Sequence, residues 1–253
     1  YLGPELFRDG VRAYLGAHEY GNAETTDLWK ALGEVAARPI PSVMEGWIFR
    51  PGYPLVAVES DDGGKSLVLT QRRFTYLPGE GGDADLWQVP LTLRVGVRGG
   101  TVTRTLLLDG PEVRVTLPGR VDWAIANAGG HGFYRVRYGP DLLRRLTRRL
   151  DKLLPVERFN LLNDAWAGTL AGLIPVADYL DLTERFRTER DKNVWALLTG
   201  AFEYLNRVLA PELRPALEAL VRDRLGPLVG RRRKRPGGCA SITPVRARES
   251  FRL

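Results

Sequence analysis

The sequence predicts a multidomain α+β protein, in which an antiparallel β-sandwich separates two helical parts. Three observations predict it. Residues 2–49 follow helical spacing, residues 53–138 form short runs rich in Val, Leu, Thr and aromatic residues, and helical spacing returns from residue 140. Because helical and strand patterns occupy separate stretches instead of alternating, they favour an α+β organisation over a parallel α/β sheet.

The first stretch predicts two amphipathic helices and a short third element. Residues 2–17 carry apolar side chains at helical spacing, and Gly21 is a plausible stop because glycine adopts the left-handed conformation freely. Thr25 or Thr26 is the expected N-cap of the second helix, TTDLWKALGEVAA. Pro39 then interrupts the pattern before a short helix or turn, SVMEGWIF.

The middle stretch predicts seven short strands. Gly-rich and Asp-Gly turns separate them, which is typical of an antiparallel sandwich of immunoglobulin size. The runs are LVAVE, SLVLTQRRFTYL, DLWQVPLTLRVGV, TVTRTLLLD, EVRVTL, VDWAIAN and GFYRVRY.

The last stretch predicts successive helices that form a bundle or HEAT-like solenoid. Pro155, Pro175 and Pro211 stand where helices are expected to begin, a position that suits the fixed φ of proline. After Gly230 the apolar period ends, and the segment is predicted to be disordered. The predicted division is therefore 1–52, 53–138, 139–229 and a basic tail at 230–253.

The net charge of +7 lies entirely in that tail, where eight basic residues accompany one acidic residue. The remainder is neutral, which argues against a dedicated nucleic-acid-binding face, although the tail could bind nucleic acid or acidic membrane without specificity. Cys239, the single cysteine, also lies there, so the chain has no disulfide framework. Neither a membrane-spanning stretch nor a signal peptide is visible, and we expect a cytoplasmic protein.

The two histidines are weak candidates for a metal site. His18-Glu19 is the first half of the zinc motif H-E-x-x-H, but position 22 is Asn22 instead of the second histidine. A solvent-facing histidine near a helix end is the favoured interpretation. His131 lies in a glycine-rich turn, AGGHGFY, without a partner at ligand spacing, and is favoured as a turn residue.

The other candidate groups also have structural interpretations. Asp178, Asp181 and Glu184 recur at helical spacing and could face a metal or a substrate amine, but a solvated helix face is favoured. Three tryptophans lie in apolar rows and are favoured as core residues: Trp123, Trp166 and Trp195. No catalytic or metal-ligating residue is therefore predicted, and the substrate-binding residues are unknown.

Four segments in order resemble the C-terminal part of zinc aminopeptidases of the aminopeptidase N and puromycin-sensitive aminopeptidase family, which are gluzincin metallopeptidases. They are YLGPELFRDGVRAYLGAHEYGNAETTDLWKAL, MEGWIFRPGYPLVAV, WAIANAGGHGFYRVRYGPDLL and ERFNLLNDAWAGTLAGLIPVADYLDL. The first resembles the closing helices of the thermolysin-like catalytic domain. The second resembles its exit into the sandwich, so Trp47 is expected to anchor the last helix and Gly52 to let the chain turn. The resemblance extends to about Val229, and we expect a frameshifted or wrongly joined end after Gly230.

The resemblance implies that the intact parent removes N-terminal residues from peptides with a zinc ion held by H-E-x-x-H and a downstream glutamate. None of those residues can be assigned to this sequence, so this chain would be a fragment that supplies scaffold and cleft-covering domains without zinc of its own. The alternative is a non-catalytic scaffold module that binds peptides or a partner protein. Neither specific nucleic-acid binding nor a membrane is implied, and the oligomeric state is unknown. The first helices, having lost catalytic-domain neighbours, are expected to expose apolar surface and to be partly disordered or prone to aggregation.

We predict that the purified 253-residue chain binds no stoichiometric zinc and does not hydrolyse an aminoacyl anilide, because it lacks H-E-x-x-H. Metal analysis of the protein and release of the anilide chromophore measure the two quantities. Hydrolysis that a chelator abolishes would contradict the prediction.

Overall fold

The computed structural model describes residues 1–61, 63–77 and 86–232. Over these residues the fold is α+β, with eight α-helices, three 3₁₀ turns and seven strands in two sheets. No helix in these ranges is both long and apolar enough to cross a membrane.

The first helical layer consists of α1 (Pro4–Ala17), α2 (Thr25–Ala36) and α3 (Ile40–Phe49). Glu24 is the N-cap of α2, one residue before the predicted threonines, and its amide donates to Oδ2 of Asp27 at 2.9 Å, as the N3 acid of a capping box does. Gly10 permits α1 and α2 to pack closely, since a Cβ there would lie 2.7 Å from Cδ2 of Leu32. A small core forms around Trp29, Leu32 and Ile40.

The strands are β1 (Pro54–Ser60), β2 (Ser66–Arg73), β3 (Val89–Val97), β4 (Gly100–Leu108), β5 (Glu112–Thr116), β6 (Val121–Ile125) and β7 (Arg135–Tyr138). They form a four-stranded sheet, β5-β2-β1-β7, and a three-stranded sheet, β4-β3-β6. The strand pairs are antiparallel except β1–β7, which is parallel and so departs from the predicted all-antiparallel pattern. A parallel pair needs a crossover connection, and here the chain passes through the second sheet before it returns as β7.

The two sheets share one hydrophobic core. Alternate side chains of the strands point inward, as the period of two requires. The fully buried members in the first three strands are Val56, Val58, Leu67, Leu69, Val89, Leu91, Leu93 and Val95.

The second helical layer consists of α4 (Pro140–Thr147), α5 (Pro155–Leu170), α6 (Val176–Glu184), α7 (Lys192–Val208) and α8 (Arg214–Arg232). Three 3₁₀ turns accompany the α-helices of the fold, at η1 (Ala128–Gly130), η2 (Leu150–Lys152) and η3 (Pro211–Leu213). The helical spacing that returns at residue 140 is interrupted after one helix, because α4 ends at Thr147 and η2 follows.

These helices have their own core, and β6 contributes to it. Trp123 and Ile125 pack among the buried side chains of α4 to α8, whereas Ala124 between them belongs to the core of the sheets. The two cores therefore meet at β6, at Tyr138 of β7, which packs against both, and at α4, whose Leu142 and Leu146 belong to different cores.

Two predicted boundaries have different outcomes. Helix α8 extends through residues 230–232, which were predicted to be disordered, while residues 233–253 lie outside the described part of the chain. The changes from helix to strand and from strand to helix fall near the predicted positions, since β1 begins at Pro54 and α4 at Pro140. The division of the chain into domains stays a prediction.

We predict that Gly96→Ala destabilises the fold by about 1–3 kcal/mol. The ring of Trp123 covers Gly96 so closely that a Cβ would lie 2.1 Å from Nε1 of Trp123. Gly100→Ala is the matched control, because nothing lies within 4 Å of its Cβ position and its φ is not positive. Chemical unfolding measures both free energies, and equal effects of the two variants would show that the ring does not restrict position 96.

Candidate functional site

His18, half of the incomplete zinc motif, links two helices. It caps α1, its Nδ1 lies 3.0 Å from the carbonyl oxygen of Tyr14, and its Nε2 lies 3.4 Å from Oδ2 of Asp27 at the start of α2. Only 28% of its side chain is exposed, so the expectation of a solvent-facing ring is wrong in part. Glu19 and Asn22 are exposed beside it.

The other predicted candidates lie apart from one another. His131 is exposed directly after η1, at a turn as predicted. Asp178, Asp181 and Glu184 are exposed on α6, which agrees with a solvated face. Trp123 is buried in the core of the second helical layer, and Trp166 and Trp195 pack against that core while partly exposed.

The described residues do not fit a zinc ion. Among residues 1–61, 63–77 and 86–232, no three His, Cys, Asp or Glu side chains come close enough together to hold a metal. His18 already has both ring nitrogens near protein oxygens. Cys239 lies outside the described part.

The chain concentrates buried charge instead at the joint, by which we mean the contact of β3, η1 and β7 with α5. Glu157 in the first turn of α5 has a fully buried side chain. Its Oε2 lies 2.5 Å from Nη2 of Arg94 on β3 and 2.7 Å from the amide nitrogen of Leu154, and its Oε1 accepts a hydrogen bond of 2.9 Å from the amide of Gly129 in η1. One carboxylate therefore ties α5 to both the second sheet and η1.

Arg94 extends this contact. Its Nη2 also donates to the carbonyl oxygen of Lys152, at 2.9 Å, and its guanidinium carbon lies 5.8 Å from the ring centre of Trp123. The cation is thus held over an aromatic face and between backbone and carboxylate acceptors, which is the arrangement that suits a planar guanidinium.

Asp164, two turns further along α5, forms the second tie of the joint. Its Oδ1 accepts from Nη1 of Arg135 at 3.2 Å, and its Oδ2 accepts from the amide of Val136 at 3.0 Å, both on β7. Burial raises the pKa of Asp164 to about 7, although the Val136 amide and Arg135 act to lower it.

Glu189 behaves differently within the second helical layer. Burial acts to raise its pKa, but Arg158 and the amides of Asp191 and Arg190 together hold that pKa below its usual value. Arg158 donates to both carboxylate oxygens, at 2.6 and 3.0 Å. The amides of Asp191 and Arg190 donate at 2.9 and 2.7 Å, respectively. The two carboxylates have opposite pKa shifts because burial outweighs the two hydrogen bonds at Asp164, whereas Arg158 and the two amides outweigh burial at Glu189.

The handover from α3 to the first sheet is held by aromatic rings. Nε1 of Trp47 donates to the carbonyl oxygen of Gln88 at 3.1 Å, and its ring contacts those of Trp87 and Phe133. Gly52 has φ +93, a conformation that glycine adopts without strain. The predicted roles of Trp47 and Gly52 fit these contacts.

Sequence reasoning missed the two carboxylates of the joint. Glu157 stands three residues after the N-cap of α5, where a capping acid is common, and this pattern could have identified it. Its ion pair with Arg94 spans 63 residues of sequence, and no local pattern indicates that contact. Both joint carboxylates contact an arginine and at least one backbone amide, so their arrangement positions elements instead of presenting a nucleophile or a base.

Two family models match the chain in order. The model of the peptidase family M1 domain matches residues 1–47, and that of the ERAP1-like C-terminal domain matches residues 123–243. The second match continues past Val229, so the resemblance extends further than the sequence analysis placed it. It includes most of β6 and all of η1, β7 and α5, but not β3.

Relatives from distant organisms match most of this chain. It is 36% identical over 191 residues to tricorn protease-interacting factor F2 of Thermoplasma volcanium, covering 76% of this chain and 23% of that protein. It is 32% identical over 216 residues to the puromycin-sensitive aminopeptidase of Caenorhabditis elegans (83% and 22%) and 37% over 191 residues to probable aminopeptidase 1 of Sulfurisphaera tokodaii (76% and 23%). The chain spans less than a quarter of the length of these relatives.

We predict that Glu157→Ala destabilises the protein by about 3–5 kcal/mol, because it leaves the Arg94 cation and two buried amides without their acceptor. The matched control is Glu218→Ala, which removes an exposed pair with Arg222 on α8 and should cost under about 1 kcal/mol. Urea unfolding of both variants measures the difference. A loss at position 157 no larger than that at position 218 would contradict the assignment of Glu157 as a tie.

Proposed function

Since the chain belongs to peptidase family M1, we propose that it supplies scaffold and cleft-covering parts of a zinc-dependent aminopeptidase that removes N-terminal residues from peptides. The catalytic motif would lie in polypeptide outside this sequence. The observation that carries the proposal is the order of the two family matches along one chain, with the peptidase-domain match preceding the ERAP1-like match.

The proposal assigns a role to each part of the fold. Helices α1 to α3 would complete a thermolysin-like catalytic domain, the two sheets would form the β-sandwich, and α4 to α8 would begin a HEAT-like helical domain over the cleft. The proposed division is 1–52, 53–138 and 139–229, with a basic tail from residue 230. The joint supports this arrangement, because Glu157 and Asp164 attach the last part to the sheets at two points.

Exposed apolar side chains in the first part support its role as a piece of a larger domain. The expectation of apolar surface there is confirmed, since Phe7, Leu15, Ile48 and Phe49 are each more than half exposed. A partner surface that covered them would stabilise the protein by roughly 25 cal/mol for each Å² of apolar surface buried. In this proposal the rest of the catalytic domain would provide that partner surface.

Among the described residues no three His, Cys, Asp or Glu side chains could hold a zinc ion, so the metal would be bound by the catalytic part outside this sequence. This chain would hold the second helical layer in a fixed position relative to the catalytic part. The connection would run through α3, the sheets and the joint. Peptides are the proposed substrates of the whole protein, and the cytoplasm is its proposed compartment.

A second candidate function is a scaffold module that binds peptides or a partner protein without catalysis. One observation favours it: Phe133, on the connection into β7, is 72% exposed and contacts the rings of Trp47 and Tyr53. An exposed aromatic group of this kind is common in binding surfaces.

The upstream reading frame separates the two functions. We predict an in-frame H-E-x-x-H before the codon of Tyr1, and chelator-sensitive hydrolysis of an aminoacyl anilide by the longer protein expressed from that frame, because zinc activates water only where the full ligand set is present. A control with the first histidine of that motif replaced should lose activity. A start codon near Tyr1 without a zinc motif would overturn the proposal and favour the scaffold module.

A further inference from the structure

We propose that one part of the joint, the contact between β7 and α5, is pH-sensitive. This contact closes when Asp164 carries a proton and opens when Asp164 is ionised. The inference goes beyond the proposed function, because it concerns a conformational equilibrium within this chain and holds whether or not the chain belongs to an enzyme.

The geometry of Asp164 is the first argument. Its side chain is only 10% exposed, yet it receives just two hydrogen bonds among the described residues, one from a single guanidinium nitrogen of Arg135 and one from the Val136 amide. Glu189, similarly buried at 3%, receives four, including a grip by two nitrogens of Arg158. A buried carboxylate with so few donors is poorly compensated for the water it has lost.

Arg135 is an incomplete counterion for Asp164. Its Nη1 is shared with the carbonyl oxygen of Asn163 at 3.3 Å, its guanidinium carbon lies 5.7 Å from the ring centre of Phe74, and its buried Nε has no hydrogen-bond partner among the described residues. The cation is therefore distributed over several contacts instead of being paired in a fork with Asp164.

Among the described residues of the sheets, Arg135 is the cation that acts on Asp164. Tyr134 and Tyr138 flank Arg135 and Val136, and burial raises the pKa of each phenol, so both are neutral near pH 7. The side chain of Tyr53 interacts with Arg135.

The described residues of the helices likewise provide no cation that acts on Asp164. Glu157 on α5 adds negative charge near Tyr138, and η1 has no ionisable side chain, while His131 after it is exposed. The acidic groups of α6 are exposed, and its Tyr179 is buried with a raised pKa. The ionisable side chains of α7 are exposed as well: Lys192, Glu203, Tyr204 and Arg207.

The direction of the effect follows from linkage. In the closed joint the pKa of Asp164 is raised to about 7 by burial, whereas in an open, hydrated joint a carboxyl has a pKa of about 3.9. Between these values the open form has lost its proton and the closed form has kept it. Raising the pH across this window therefore favours opening, by up to tenfold in the opening equilibrium per pH unit, and the effect levels off above pH 7.

The amide of Val136 reports the joint directly, because it donates to Asp164. We predict that its hydrogen-exchange protection factor in the full chain, measured by NMR and corrected for the intrinsic pH dependence of exchange, falls at least tenfold between pH 5 and pH 7.5. In Asp164→Asn, which keeps an acceptor and cannot ionise, the factor should change less than twofold. Glu189→Gln is the matched control and should retain the wild-type fall, because the lowered pKa of Glu189 lies outside the window.

Two results would overturn the proposal. One is a Val136 protection factor that is independent of pH in the wild type or equally dependent on pH in Asp164→Asn. The other is exchange of Val136 at the rate of the Leu91 and Leu93 amides of β3 at every pH, since that would show unfolding of the whole protein instead of opening of the joint. The two histidines are present in wild type and variants alike, so they cannot account for a difference between them.

If Asp164→Asn does not fold, the carboxyl carbon shift of Asp164 in the wild-type protein tests the same claim. A titration midpoint above pH 6 supports the joint, and a midpoint below pH 5 overturns it.

Discussion

Strand β6 serves two hydrophobic cores at once, because its side chains point alternately to opposite faces. Ala124 packs between the two sheets, while Trp123 and Ile125 on either side of it pack among the helices of the second layer. The sheets and the second helical layer are therefore not independent bodies joined by a linker. A one-residue shift of β6 against β3 would exchange the two faces and disrupt both cores, so the register of this pair fixes the position of everything that follows.

Two buried carboxylates add polar contacts between α5 and the sheets to the apolar contacts that β6 makes. Glu157 and Asp164 lie on α5, which packs against the same region, and each carboxylate contacts a different sheet through an arginine. Buried ion pairs contribute little net stability compared with apolar side chains of the same volume, because removing two charges from water is costly. Their geometric demands are strict, however, so we interpret them as determinants of the angle and register of α5.

Much of the element order could be predicted from the sequence, because it depends on local patterns. The seven strand runs, the helices on either side and the start of α5 at Pro155 follow from side-chain periodicity and from proline and glycine at the ends of elements. The predictions that were wrong depended on distant partners. The parallel pairing of β7 with β1 involves residues about 80 positions apart, and the partly buried state of His18 depends on Asp27 in the next helix. The chain departs from its predicted disorder in residues 230–232, where α8 continues.

The sequence by itself determined which segments are helix or strand, that the net positive charge is confined to the C-terminal residues, and that no complete zinc motif is present, since each depends on residue type and spacing alone. Only the tertiary structure decided which carboxylates are buried and what they contact. Glu157 and Asp164 are ordinary acidic residues of a helix until β3, η1 and β7 fold against them, because burial and hydrogen bonding arise between segments far apart in the chain. The pKa of Asp164 near 7 is therefore a property of the fold, whereas the charge of a tail residue is a property of the sequence.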